Sequence, residues 1–190
     1  MTTEVDPIRV GGGAAGSSPM STAVPIIRQD GEGEQMWFAG GGTFTWKATA
    51  AETGGAFLLF EDRMERGKVT PLHLHPHEDE AIYVLEGELL VDMNGEQHRV
   101  RQGGFVLAPR GVPHAFLVVS ETARVLALQT PGTGDAFYRD AGEPIGSAAD
   151  ASRPADWDRL RHVAEQSESI ELLGPPPFET TQQASAAQSK

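Results

Sequence analysis

Residues 73–87 read HLHPHEDEAIYVLEG. His73 and His75 alternate, so an extended backbone turns both imidazoles to one face. Pro76 withholds a ladder donor and bends the chain, and PHED over 76–79 makes a turn. Glu80 then opens a returning apolar strand that ends at Gly87. This order brings two imidazoles and a carboxylate to one point, a partial coordination sphere for a divalent transition metal.

A fourth ligand must come from elsewhere, and His114 is the candidate. It sits in GGFVLAPRGVPHAF, residues 103–116, where Pro109 and Gly111 suit a tight turn between two strands. A hairpin mouth of this kind delivers a ligand beside those of a neighbouring strand.

The two segments resemble the paired motifs of the cupin superfamily. Gly67, five residues, His73-x-His75, four residues, Glu80, six residues and Gly87 match the first motif at every position. Gly103, five residues, Pro109-x-Gly111, two residues and His114 match the second, with Val118 where the family often has Asn at a position that is not a ligand. The wording PLHLHPHEDEAIYVLEGEL over 71–89 is similar to quercetin 2,3-dioxygenase-like monocupins. The resemblance implies an all-β fold, a single cupin-type double-stranded β-helix or jelly-roll barrel. It also implies one metal held by His73, His75, Glu80 and His114, and a dioxygenase activity.

Outside the motifs the rhythm supports the same fold class independently. TFTWKATA, AFLLFEDRM, EAIYVLEG, ELLVDM, EQHRVRQ, GFVLAP, HAFLVVS and ARVLALQTPG are short, evenly spaced and mostly alternating, with Asn94-Gly95 as a hairpin signal. Such a run reads as a barrel or double-sheet jelly roll. PADWDRLRHVAEQS over 154–167 places Trp157, Leu160 and Ala164 at helical spacing, with Pro154 suited to a first turn. One C-terminal helix packed on the barrel exterior is therefore expected.

The domain reading follows these shifts. Residues 1–24 are a flexible Gly/Ala/Ser-rich segment, with Met20 as an alternative start. Residues 25–135 are the barrel with an N-terminal arm; 136–178 are the helix and an extended docking segment, ELLGPPPF; 179–190 are a flexible tail. There is no cysteine, so thiolate ligands, disulfides and cysteine nucleophiles are excluded. A net charge of −12 without a basic stripe argues against nucleic acid and anionic membrane as partners. No apolar run is long enough to span a bilayer and no secretory signal is evident, so a cytoplasmic location is expected. Cupins often exchange N-terminal strands, which implies a homodimer.

A lone histidine is usually an ordinary polar residue; three at motif spacing with Glu80 shift the balance to a metal site. The ion is one of Fe, Ni, Mn, Co, Cu or Zn, since nitrogen and oxygen ligands suit them all. His77 follows the bend and is not expected to ligate; Glu78 and Asp79 read as solvated loop charges, and His98 and His162 as surface residues. Arg63 and Arg110 read as solvated salt-bridge partners rather than steering groups. Alternation from Glu80 turns Ile82 and Val84 inward, and alternation from His114 does the same for Phe116 and Val118. These four either line an apolar substrate pocket or simply fill the barrel. Three readings follow. The first is a quercetinase-like dioxygenase on an apolar enol or flavonol-type small molecule, with Glu80 as general base. The second is an O2-independent metal-cupin isomerase, cyclase or lyase. The third is a non-catalytic small-ligand-binding cupin.

Overall fold

The computed structural model describes residues 23–38, 41–145 and 156–178. Readings placed on residues 1–22, on Pro154 and on 179–190 lie outside them. The strands run in chain order β1 (Gln35–Phe38), β2 (Gly42–Ala48), β3 (Leu58–Glu65), β4 (Leu72–Leu74), β5 (Asp79–Glu86) and β6 (Glu88–Met93). They continue with β7 (Glu96–Arg101), β8 (Phe105–Ala108), β9 (His114–Val118) and β10 (Thr122–Thr130). Helix α1 (Asp135–Ala141), β11 (Glu143–Pro144), α2 (Trp157–Glu165) and β12 (Glu171–Gly174) complete the order.

The strands form two antiparallel sheets, ordered β11-β1-β2-β3-β10-β5-β8 and β12-β4-β9-β6-β7. This is the expected jelly roll: each sheet turns one apolar face inward and the two close on each other. Period-two alternation and register fix which residues meet. In the first sheet Leu58, Gln129 and Glu80 form one cross-strand row. Trp46, Phe60, Ala127 and Ile82 form the next, and Phe44, Asp62, Val125 and Val84 the third. In the second sheet His73 pairs with His114, which pairs with Met93; further along lie Phe116 opposite Val91 and Val118 opposite Leu89. The metal-motif residues thus sit at one end of the sandwich.

An aromatic cluster fills the middle. Phe44 stacks on Phe60 with ring centroids 3.9 Å apart, Trp46 meets Phe44 edge-on, and Tyr138 packs on both phenyl rings. Offset and edge-on pairs of this kind add to their large area burial. Tyr138 comes from α1, a helix not expected from the sequence, where 135 was to be the end of the barrel. Its seven residues, DAFYRDA, are too short to show periodicity, yet Phe137, Tyr138 and Ala141 are buried.

Helix α2 begins at Trp157, capped by Asp156, whose carboxylate accepts from the Arg159 amide at 2.9 Å. Leu160 and Ala164 are buried, while Trp157 is exposed. β12 then pairs with β4, the strand that carries His73. β1 pairs with β2 of its own chain, and β11 pairs with β1. Gly87 joins β5 to β6 at φ +83°, where an added Cβ would run into the Thr122 carbonyl, so only glycine fits. Among the described residues, no helix is long and apolar enough to cross a membrane.

Candidate metal centre

His73 lies on β4, His75 directly after it, Glu80 near the start of β5 and His114 at the start of β9. The antiparallel β4–β9 pair places His73 opposite His114. All four side chains are buried, and each offers one ligand atom within 4.8 Å of the others. The turn at 109–111 is tied to the first motif, since the Gly111 amide donates to the His75 carbonyl at 2.8 Å.

The tautomers follow from the partners. Nδ1 of His73 donates to the Pro71 carbonyl (2.8 Å), that of His75 to the Ser169 carbonyl (2.7 Å) and that of His114 to the Val112 carbonyl (2.9 Å). A carbonyl can only accept, so each Nδ1 carries hydrogen and each Nε2 keeps the lone pair with which it could ligate a metal. Backbone carbonyls thus hold all three rings in orientation, the usual support for metal-bound histidines. Glu80 Oε2 lies 2.9 Å from His114 Nε2 and 3.6 Å from His75 Nε2. Bare nitrogens and a carboxylate at such distances repel unless a cation or proton lies among them. The donor set therefore fits a divalent ion, and these four residues can hold one.

Electrostatics point the same way. Burial, reinforced by the neighbouring histidines, pulls His73 down to about 3, so it is neutral at neutral pH as a ligand must be. Burial opposes ionisation of Glu80, but hydrogen bonds and charges of His114 and His75 outweigh it and hold the carboxyl well below its usual range. Burial likewise lowers His75, yet the Glu80 hydrogen bond and charge leave it net raised. Glu80 is thus an ionised carboxylate inside the barrel.

Three residues around the centre carried no signal in the sequence. Gln129, fully buried, donates from Nε2 to His75 Nε2 (3.1 Å) and to the Tyr138 hydroxyl (2.8 Å). Ser169 lends its carbonyl to His75 across 94 positions of chain. Glu78, read as a solvated charge, is instead buried and accepts from the Thr133 hydroxyl. The reason is α1, whose leading loop folds over the ligand turn. Asp79 pairs with Arg110 at 2.9 Å, and Arg63 with Asp30 and Glu61, so neither arginine faces the centre. His77, His98 and His162 are exposed.

Beside the ligands runs a narrow cavity of about 80 Å³. His73 and Glu80 form one part of its lining, Phe38, Phe44, Phe60 and Phe116 its apolar wall. Of the four apolar residues read from alternation, Ile82 and Phe116 line it. Val84 and Val118, 0% and 1% exposed, are packed into the core instead. Alternation fixes the side of a strand that a residue faces, not its depth below the cavity floor.

A family model described as "Cupin domain" matches residues 60–129. The quercetin 2,3-dioxygenase of Bacillus subtilis (strain 168) is 30% identical over 125 residues, 66% of this chain and 37% of that protein. The tetracenomycin polyketide synthase protein TcmJ of Streptomyces glaucescens is 29% identical over 101 residues, 53% of this chain and 61% of its own length. The chain thus spans about two fifths to three fifths of these relatives. The solved structure of KdgF from Halomonas sp. superposes with a TM-score of 0.52 at 21% identity, over 57% of this chain and 94% of that one, a likeness of fold.

Proposed function

Because the chain belongs to the cupin superfamily, we propose that it is a metal-dependent dioxygenase of an apolar, enol-bearing or flavonol-type small molecule. The observation that carries this reading is the convergence of His73, His75, Glu80 and His114 beside an apolar, phenylalanine-lined cavity. The similarity to a quercetin 2,3-dioxygenase supports the dioxygenase part.

A divalent ion held there would act as a Lewis acid toward a substrate oxygen and O2. The chain's residues supply the rest. The three imidazoles, fixed through their Nδ1 hydrogens, keep the donor set rigid. Glu80, held ionised, is the acceptor for the proton of the substrate's enol hydroxyl. Phe44, Phe60 and Phe116 offer flat apolar surface to a ring and keep water away.

At about 80 Å³ the cavity is smaller than the ~300–1,000 Å³ of sites for ring-sized ligands, so binding displaces part of its wall. The thin part is the side shared with an outer groove of about 1090 Å³, where Pro71, Leu160, Ile170 and Leu172 face both spaces. Tyr83, Phe105 and Leu107 form an exposed apolar patch on β5 and the edge strand β8, which supports a homodimer.

Oxygen uptake by protein loaded separately with Mn, Fe, Co, Ni, Cu or Zn, with a flavonol panel, tests the reading. Uptake with at least one metal is expected; its absence with all of them refutes the dioxygenase. The likeness to a polyketide synthase protein favours a second reading, an O2-independent cyclase or isomerase. Turnover under anaerobic conditions would select it.

A further inference from the structure

The cavity has a polar side that the metal centre does not explain. Asp62 stands in a core-facing row whose other members are Phe44, Val125 and Val84. It is 6% exposed and lines the cavity, and its Oδ1 has no hydrogen-bond partner among the described residues. Lys68, 3% exposed, lines the same cavity from the connection between β3 and β4, with Nζ 3.2 Å from the Phe38 carbonyl and 5.3 Å from its ring centroid. Its charge opposes the effect of burial on Asp62. Gly42 leaves the carboxylate its room: a Cβ there would lie 2.6 Å from Asp62 Oδ1.

This arrangement costs the fold. Two buried opposite charges are seldom worth more than an apolar pair of the same volume, and an acceptor without a donor costs further. A row of Phe and Val would be better completed by another apolar residue. The register places Asp62 four residues along the strands from the row of Glu80, roughly 13 Å at ~3.3 Å per residue. The cavity therefore joins a cation-binding end to a carboxylate end across a span of two or three joined rings.

We propose that Asp62, charge-balanced by Lys68, is a substrate-recognition site that accepts a hydrogen bond from a hydroxyl at the end of the substrate remote from its metal-binding oxygen. The inference rests on the reading of the cavity as a substrate site and narrows it. The substrate is an elongated, polyhydroxylated ring compound, and one with a carboxylate at the far end is rejected by the charge of Asp62.

Quercetin and unsubstituted flavonol test this, since they share the chelating hydroxy-ketone and differ in the remaining ring hydroxyls. Their Kd values are measured on metal-loaded wild type, Asp62→Asn and Asp62→Ser, with metal content and melting temperature recorded for each. The expected result is tenfold or more preference for quercetin in the wild type, reduced severalfold in Asp62→Asn, whose neutral amide oxygen still accepts, and falling to about one in Asp62→Ser, whose shorter side chain no longer reaches, with metal content unchanged. A purely structural Asp62 would move the melting temperature and leave the ratio alone, which overturns the proposal. Equal affinity of the wild type for both flavonols also overturns it. Binding of neither overturns the proposal together with the flavonol-type reading of the cavity.

Discussion

Asp62→Asn has a second consequence, in stability, that does not depend on any ligand. Burial pushes the Asp62 carboxyl up to about 6 from its usual 3.8, against the opposing charge of Lys68. The folded state therefore holds the proton more tightly than the unfolded chain does. Below pH ~4 both states are protonated and the residue costs nothing. Between pH ~4 and ~6 the unfolded chain ionises while the folded one does not, and stability falls as pH rises. Above that window the loss is complete. A shift of about two units at about 1.4 kcal/mol each makes it about 3 kcal/mol. For a chain of this size that is about 6–12 °C in melting temperature. Asparagine does not titrate, so the variant lacks this loss. Any further depression of Lys68 in the variant acts in the same direction, since burial already lowers it. Urea unfolding of metal-free wild type and Asp62→Asn from pH 4 to 7 reads the difference directly, and contributions common to both proteins cancel. The variant should gain about 3 kcal/mol on the wild type across that range. Parallel curves would refute the buried, proton-holding Asp62.

Three further outcomes are expected. Gly87→Ala forces a Cβ into the Thr122 carbonyl at φ +83°, and should cost more than about 2 kcal/mol in denaturant unfolding. Removal of residues 169–190 deletes the carbonyl that orients His75, and should weaken metal binding about 10–100-fold in a competition titration with a chelator. The wild type is expected to be a dimer in light scattering, and Phe105→Asp, which puts a charge into the exposed patch with Tyr83 and Leu107, should leave monomers.

Much of this molecule was legible in its sequence because β-structure and its turns leave short-range marks. Gly67, Gly87, Gly103 and Gly111 all take positive φ at turns between strands. Asn94-Gly95, both at positive φ, closes the β6–β7 hairpin. The spacing of His73, His75 and Glu80 works because a single turn separates two strands that face one interior. What stayed hidden depends on long-range contact. Ser169 reaches His75 because β12, within the segment expected to dock, pairs with β4, a partner that no local pattern names. Helix α1 is a turn or two long, and its buried Tyr138 announces itself only through the aromatic cluster it joins. Asp62 shares a face with Leu58 and Phe60 in the linear pattern, but alternation does not tell that a carboxylate there lines a cavity until the register shows what surrounds it. Glu78 misled for the same reason: a charge in a loop looks solvated until something folds over it.

The convergence of three imidazoles and one carboxylate on a single ion is tested most directly by metal stoichiometry. Apo protein is reconstituted with each of Mn, Fe, Co, Ni, Cu and Zn, freed of excess and weighed by elemental analysis, alongside His73→Ala and His114→Ala. One ion per wild-type chain with at least one of these metals, and a loss of binding in both variants, is the expected result. A wild-type chain that retains none of them, or variants that retain as much as the wild type, would contradict it.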